Sequence, residues 1–153
     1  MKKLVLATTA ILVLAFTGVS CSSDDDDNAS ETIIDYSELS VECTTFVETY
    51  FNGYEVLRVE KDPYSVDEYY EITFVGGTQI DLNASCEWTE VDGNDQAIPT
   101  GFINTSIVEY VSTNYPTTAI ESIDKKTYGF DVDLVDGTEL RFDSEGNFLG
   151  LDN

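Results

Sequence analysis

From Gly129 to Asp143 apolar and polar residues alternate in two runs separated by a turn dipeptide. Phe130, Val132 and Leu134 share one side of the first run and Leu140 and Phe142 one side of the second, while Asp131, Asp133, Glu139 and Arg141 point the other way. Asp136-Gly137 stands between the runs, and Asp-Gly flanked by alternating apolar residues predicts a β-hairpin with a type I′ turn. The same alternation predicts strands over 56–61, 69–75, 78–83, 87–91, 120–125 and 147–151. Helical spacing replaces it in two places. Leu39, Cys43, Val47 and Tyr50 keep one helical face, and Phe102, Ile103, Ile107 and Val111 approximate another, after Pro99 in a first turn and before the stop at Tyr115-Pro116.

These elements recur. The segment from Thr45 to Lys61 matches that from Glu109 to Lys125 at an offset of 64, as in Lys61 and Lys125; Tyr70–Leu82 matches Phe130–Phe142 at an offset of 60. Each half reads as one helix followed by four strands, 34–93 and 97–153. Successive strands joined by short turns pair antiparallel. A unit of about 55 residues is marginal alone, burying only about 60% of its unfolded surface. The connection through Asp92–Ala97 is too short to hold two such units apart. The expected fold is therefore α+β over 34–153: tandem helix-plus-four-strand repeats forming one antiparallel sheet, helices on one face and the other face open.

The first twenty residues have a different character. Met1-Lys-Lys is basic and Leu4–Val19 is apolar but too short for a stable membrane span, the pattern of a secretory signal over 1–20. Gly18-Val-Ser-Cys21 resembles a bacterial lipobox, with Gly18 where Leu is usual, which implies lipidation of Cys21. Residues 21–33 carry four consecutive Asp and read as a solvated tether. An acidic run behind the lipidated Cys resembles the surface-export signal of Bacteroidetes lipoproteins, which implies an outer-membrane lipoprotein exposed at the cell surface.

Charge and composition narrow the chemistry. The chain carries a net −23, and without Lys2 and Lys3 five basic residues face 30 acidic ones, or −25. Such a field repels nucleic acid and favours basic partners and cations. There is no His, which excludes Ser-His and Cys-His catalysis and removes the commonest transition-metal ligand. Asp131-x-Asp133-x-x-Asp136-Gly137 has the wrong spacing for an EF-hand loop. No catalytic residue, metal site or cofactor is expected. Cys43 and Cys86 belong to the first half only, and an oxidising setting joins them in a disulfide or leaves a core thiol and a turn thiol; the sequence leaves both open.

The halves differ by four extra residues within Asp62–Tyr69, which supply Tyr64 and Tyr69 where the repeat requires no core position. With Asp131, Asp133, Glu139 and Arg141 of the open face, these two form the candidate partner-binding set. The helix ending at Tyr115-Pro116, the strand Ile120-x-x-Ile123-x-Lys125 and the hairpin with its following Gly-Asn-Phe148 resemble the PepSY-like, β-lactamase-inhibitor-like domain family common in Bacteroidetes lipoproteins. Asn52-Gly53 and Gly76-Gly77 in the first half depart from that pattern. The resemblance implies a non-enzymatic module that binds or inhibits another protein. The alternatives are an envelope lipoprotein without a specific ligand and an acidic scavenger of cations or basic peptides.

Overall fold

A computed structural model describes residues 31–152; the signal segment, Cys21 and most of the acidic tether lie outside the described residues. The order is β1 (Thr32–Ile34), a 3₁₀ turn at Tyr36–Glu38, α1 (Val41–Tyr50), β2 (Val56–Lys61), β3 (Tyr70–Phe74), β4 (Gln79–Leu82) and β5 (Trp88–Asp92). Then follow α2 (Thr105–Asn114), β6 (Ile120–Lys126), β7 (Gly129–Leu134), β8 (Glu139–Asp143) and β9 (Phe148–Leu151). All nine strands form one sheet in sequence order, each antiparallel to the next. Strand β5 pairs with β6 across the intervening helix, so one continuous sheet runs through both halves of the chain.

The register explains why the sheet holds together. Ile34, Val59, Ile72, Ile80, Val91, Ile123, Val132, Leu140 and Leu151 lie opposite one another in turn, an apolar row crossing every strand. Residues from Val59 to Leu140 in this row are buried, and they join one core cluster with Cys43 and Val47 of α1 and Ile107 and Val111 of α2. Strand residues between these positions point the opposite way. Cys43 and Cys86 are joined by a disulfide, with Cα atoms 4.8 Å apart, which pins α1 to the β4–β5 turn.

Side chains set the helix boundaries. Ser40 Oγ caps α1 by accepting from the Cys43 N–H, and Asn104 Oδ1 caps α2 by accepting from the Ser106 N–H at 3.0 Å. The Asn104 cap corrects the expected start of the second helix. Pro99, Phe102 and Ile103 lie before it, although Ile103 is still buried. Helix α2 ends at Asn114 with Tyr115 as its C-cap, as the following Pro116 dictates.

Two further differences concern strands and turns. Strand β1 takes in Thr32 and Ile33, which the sequence reading placed in the tether; three residues are too few to show an alternation. The Asp136-Gly137 turn is not type I′, because only Gly137 has a positive φ, of 80°. Gly137 N–H donates to the Leu134 carbonyl at 2.7 Å and Leu134 N–H to the Thr138 carbonyl at 2.9 Å, so Val135 joins the turn.

Candidate functional site

The alternate strand positions carry carboxylates rather than apolar groups. Glu60, Glu71, Asp81, Glu90, Asp124 and Asp131 lie opposite one another on six successive strands, and Arg141 follows on β8. Adjacent strands are about 4.8 Å apart, so like charges repel along the whole row. Basic side chains offset this at both ends. Arg58 Nη2 contacts Glu60 at 2.8 Å and Glu71 at 3.3 Å, Lys126 pairs with Asp124, and Arg141 Nε lies 3.7 Å from Asp131. The middle pair, Asp81 and Glu90, has no ion-pair partner among the described residues.

That pair lies in a cleft of about 400 Å³. Its walls are Asp67 and Glu68 from the extension after β2, Thr89 of β5, Asp124, Lys125 and Lys126 of β6, and Thr127 and Tyr128 from the β6–β7 turn; Lys126 pairs with Asp124, and Lys125 Nζ donates to the Trp88 carbonyl. Thr89 Oγ1, 2.7 Å from the Asp67 carbonyl oxygen, ties the extension to the sheet. Asp81 Oδ1 is buried and accepts no hydrogen bond among the described residues. Burial, then the charges of Glu90, Glu68, Glu71 and Asp92, push the Asp81 carboxyl up to about 7. Burial also raises Glu90, against the opposing pull of Lys126. A site of this kind attracts cationic groups. Among the described residues no three metal-ligating side chains converge.

The sequence-nominated residues are distributed as follows. Asp131 lies between Arg141 and Tyr128, whose hydroxyl donates to it. Asp133 accepts from Ser122 Oγ at 2.9 Å and lies opposite Glu139, which is exposed. Arg141 makes its tightest contact with Asp152, at 2.6 Å. Tyr69 packs its ring against Tyr70, with Lys61 Nζ 5.3 Å above it. Tyr64 is 74% exposed and is not part of the cleft wall. The extension thus contributes Asp67 and Glu68 to the cleft rather than its exposed tyrosine. Trp88 packs between Phe102 and Phe130 beneath Lys125.

Glu90, Asp124 and Tyr128 were not nominated from the sequence. Both carboxylates alternate with core residues in their strands, and this was the available signal; their alignment with Asp81 depends on a register that includes a bulge between Asp81 and Leu82.

Fold and surface define an α+β protein built on an antiparallel meander with a charged sheet face. The model of the family described as "Putative beta-lactamase-inhibitor-like, PepSY-like" matches residues 68–150, and the chain belongs to that family. Its fold is similar to that of a Bacteroides thetaiotaomicron protein described as a "putative calcium-regulated periplasmic protein", at 26% identity and a TM-score of 0.74, over 80% of this chain and 97% of that one. Two Bacteroides vulgatus proteins described as periplasmic are also similar. One is 25% identical with a TM-score of 0.71, over 81% of this chain and 100% of that one. The other is 27% identical with a TM-score of 0.71, over 86% of this chain and 100% of that one. No curated protein matches the sequence. Among the described residues no helix is long and apolar enough to cross a membrane.

Proposed function

We propose that this chain is a non-enzymatic, inhibitor-like module that holds a basic protein partner on the polar face of its sheet, displayed at the cell surface by a lipid on Cys21. The observation that carries the reading is the Asp81–Glu90 pair, two facing carboxylates that form no ion pair among the described residues, in a cleft whose lysines, Lys126 and Lys125, are held by Asp124 and by the Trp88 carbonyl. A partner's Lys or Arg supplies the missing charge. Long-range attraction by the acidic face speeds encounter, and a desolvated pair at the centre holds the complex. In this reading the chain is two copies of one helix-plus-four-strand unit, with both helices on the core side. That arrangement leaves the acidic face uncovered. Family membership and the periplasmic relatives support an envelope role.

The test is binding of the folded, unlipidated protein to a candidate secreted enzyme, measured at two ionic strengths. Asp81→Asn combined with Glu90→Gln should weaken binding at least about tenfold and flatten its salt dependence. Tyr64→Ala should matter only if the interface reaches beyond the cleft wall. The calcium regulation named for the B. thetaiotaomicron protein is addressed by calorimetric titration with calcium. Saturable calcium binding abolished by the same double substitution, with no effect on protein binding, would replace this reading with the cation-scavenger one.

A further inference from the structure

The two halves differ in what lies beside the strand that follows each helix. In the second half Ile98 N–H donates to the Ile120 carbonyl at 3.0 Å and Gly93 N–H to the Glu121 carbonyl at 2.9 Å, so the connection into α2 continues along β6 after β5 has ended. Ile98 is buried there, and Ile120 is only 3% exposed. The first half has no such segment. Residues 35–40 join β1 to α1 where 93–104 join β5 to α2, and the chain leaves the edge of β2 at the Tyr36–Glu38 turn.

Val56, which the offset of 64 places where Ile120 stands, is therefore at an open edge. Opposite it, Phe74 N–H donates to the Thr78 carbonyl on the β4 side, so the N–H and C=O of Val56 face away from β3. On that far side β1 pairs with β2 only from Val59 to Lys61. A groove of about 490 Å³ lies here, lined by Val47 and Phe51 of α1, by Tyr36 and Tyr54, and by Val56 itself. Glu48 also lines it, exposed and without an ion pair among the described residues. Its charge is felt in the groove, because burial and then Glu48 raise the Tyr36 hydroxyl. The matching position in the second half is the uncharged Ser112.

We infer that this groove takes an extended segment of a partner protein in which an Ile or Val stands beside a Lys or Arg, held as the chain's own Ile98 is held in the other half. The aliphatic side chain packs on Val47 and Phe51, its N–H donates to the Val56 carbonyl, and the basic side chain meets Glu48. Backbone pairing gives such a complex its register and the two side chains give it selectivity. This goes beyond the polar-face reading, because it uses the helix side of the sheet at its first edge.

Charge decides among the occupants. Glu48 repels the tether, with its four consecutive Asp, and a chain of net −23 repels a second copy of itself. A basic segment is attracted by both.

The test uses the folded protein covering residues 22–153 and a capped peptide, Ser-Gln-Ala-Ile-Lys-Ser, which borrows Gln96-Ala97-Ile98 and adds a Lys. Amide shifts in a ¹⁵N spectrum should saturate and centre on residues 47–57. Methylating the peptide's Ile nitrogen removes the donor to Val56 and should weaken binding at least about fivefold. Exchanging its Lys for Glu should weaken binding about tenfold, and Glu48→Gln should cut that difference to about threefold or less. Circular dichroism checks that the variant folds. Asp81→Asn with Glu90→Gln should leave peptide binding unchanged. Shifts centred on Asp81 and Glu90 overturn the inference while sparing the polar-face reading, and equal binding of the Lys and Glu peptides, or undiminished binding of the methylated one, also overturns it. In the free protein, movement of the 47–57 amides on deletion of residues 22–30 overturns it in favour of the tether, and their dependence on protein concentration does so in favour of a second copy.

Discussion

Asp81 and Glu90 face each other across β4 and β5, and no basic side chain among the described residues forms an ion pair with either. The Asp81 carboxyl, raised to about 7 chiefly by burial, binds its proton more tightly in the folded chain than in the unfolded one. Between the usual carboxylate range and pH 7 the folded state therefore holds the extra proton, and this contribution to stability falls as pH rises. Asp81→Asn should raise Tm at pH 8 and leave it nearly unchanged at pH 4. Thermal melts of both proteins across that range check the sign, and an equal effect at the two pH values would mean that Asp81 is not protonated near neutrality.

The Cys43–Cys86 bond closes a loop with a sequence separation of 43. In the chain-entropy account its removal costs about 4 kcal/mol. The Cys43→Ala, Cys86→Ala double variant should melt more than about 10 °C below the wild type. Reduction of the wild type should produce the same drop, while leaving the double variant unaffected.

At the junction of the two halves, Gly93 N–H donates to the Glu121 carbonyl at 2.9 Å. A Cβ at this position would lie 2.0 Å from the Gln96 carbonyl oxygen and 2.8 Å from that of Glu121. Both are backbone atoms and cannot swing aside. Gly93→Ala should cost about 1–3 kcal/mol, read from the midpoint of urea unfolding.

Val91 and Ile123 are both fully buried and lie opposite each other where β5 meets β6. With one core spanning both halves, far-ultraviolet and aromatic circular dichroism should report a single, coincident transition. Val91→Asp should unfold the whole protein rather than one half.

Lipidation and export can be checked on cells. Radiolabelled palmitate should enter the wild type and not the Cys21→Ser variant, and external protease should shave the wild type from intact cells.

Among the described residues, periodicity in the sequence located both helices and eight of the nine strands, because one side of each carries apolar residues at the right spacing. It failed where a side chain rather than a pattern decides. Phe102 and Ile103 continue a helical stripe, yet the Asn104 cap starts the helix after them. Strand β1 is too short for a pattern and exists because Ile34 completes the apolar row beside Val59. The acidic row was half legible. Asp131 could be assigned to the solvent side of its strand, but the alignment of Asp81 and Asp131 with Glu90 and Asp124 depends on which residues sit opposite, and that depends on bulges.

Because every strand pairs with the one before it, assembly can follow the chain from end to end. From β2 to β5 and from β6 to β9 each new hairpin needs only a short loop to close; α1 intervenes between β1 and β2, and the widest gap between paired neighbours is the α2 crossover from β5 to β6. A polypeptide delivered gradually, amino end first, can add strands in the order in which they emerge without waiting for its carboxyl end. The growing edge is exposed throughout, and among the described residues the last one left open is β9.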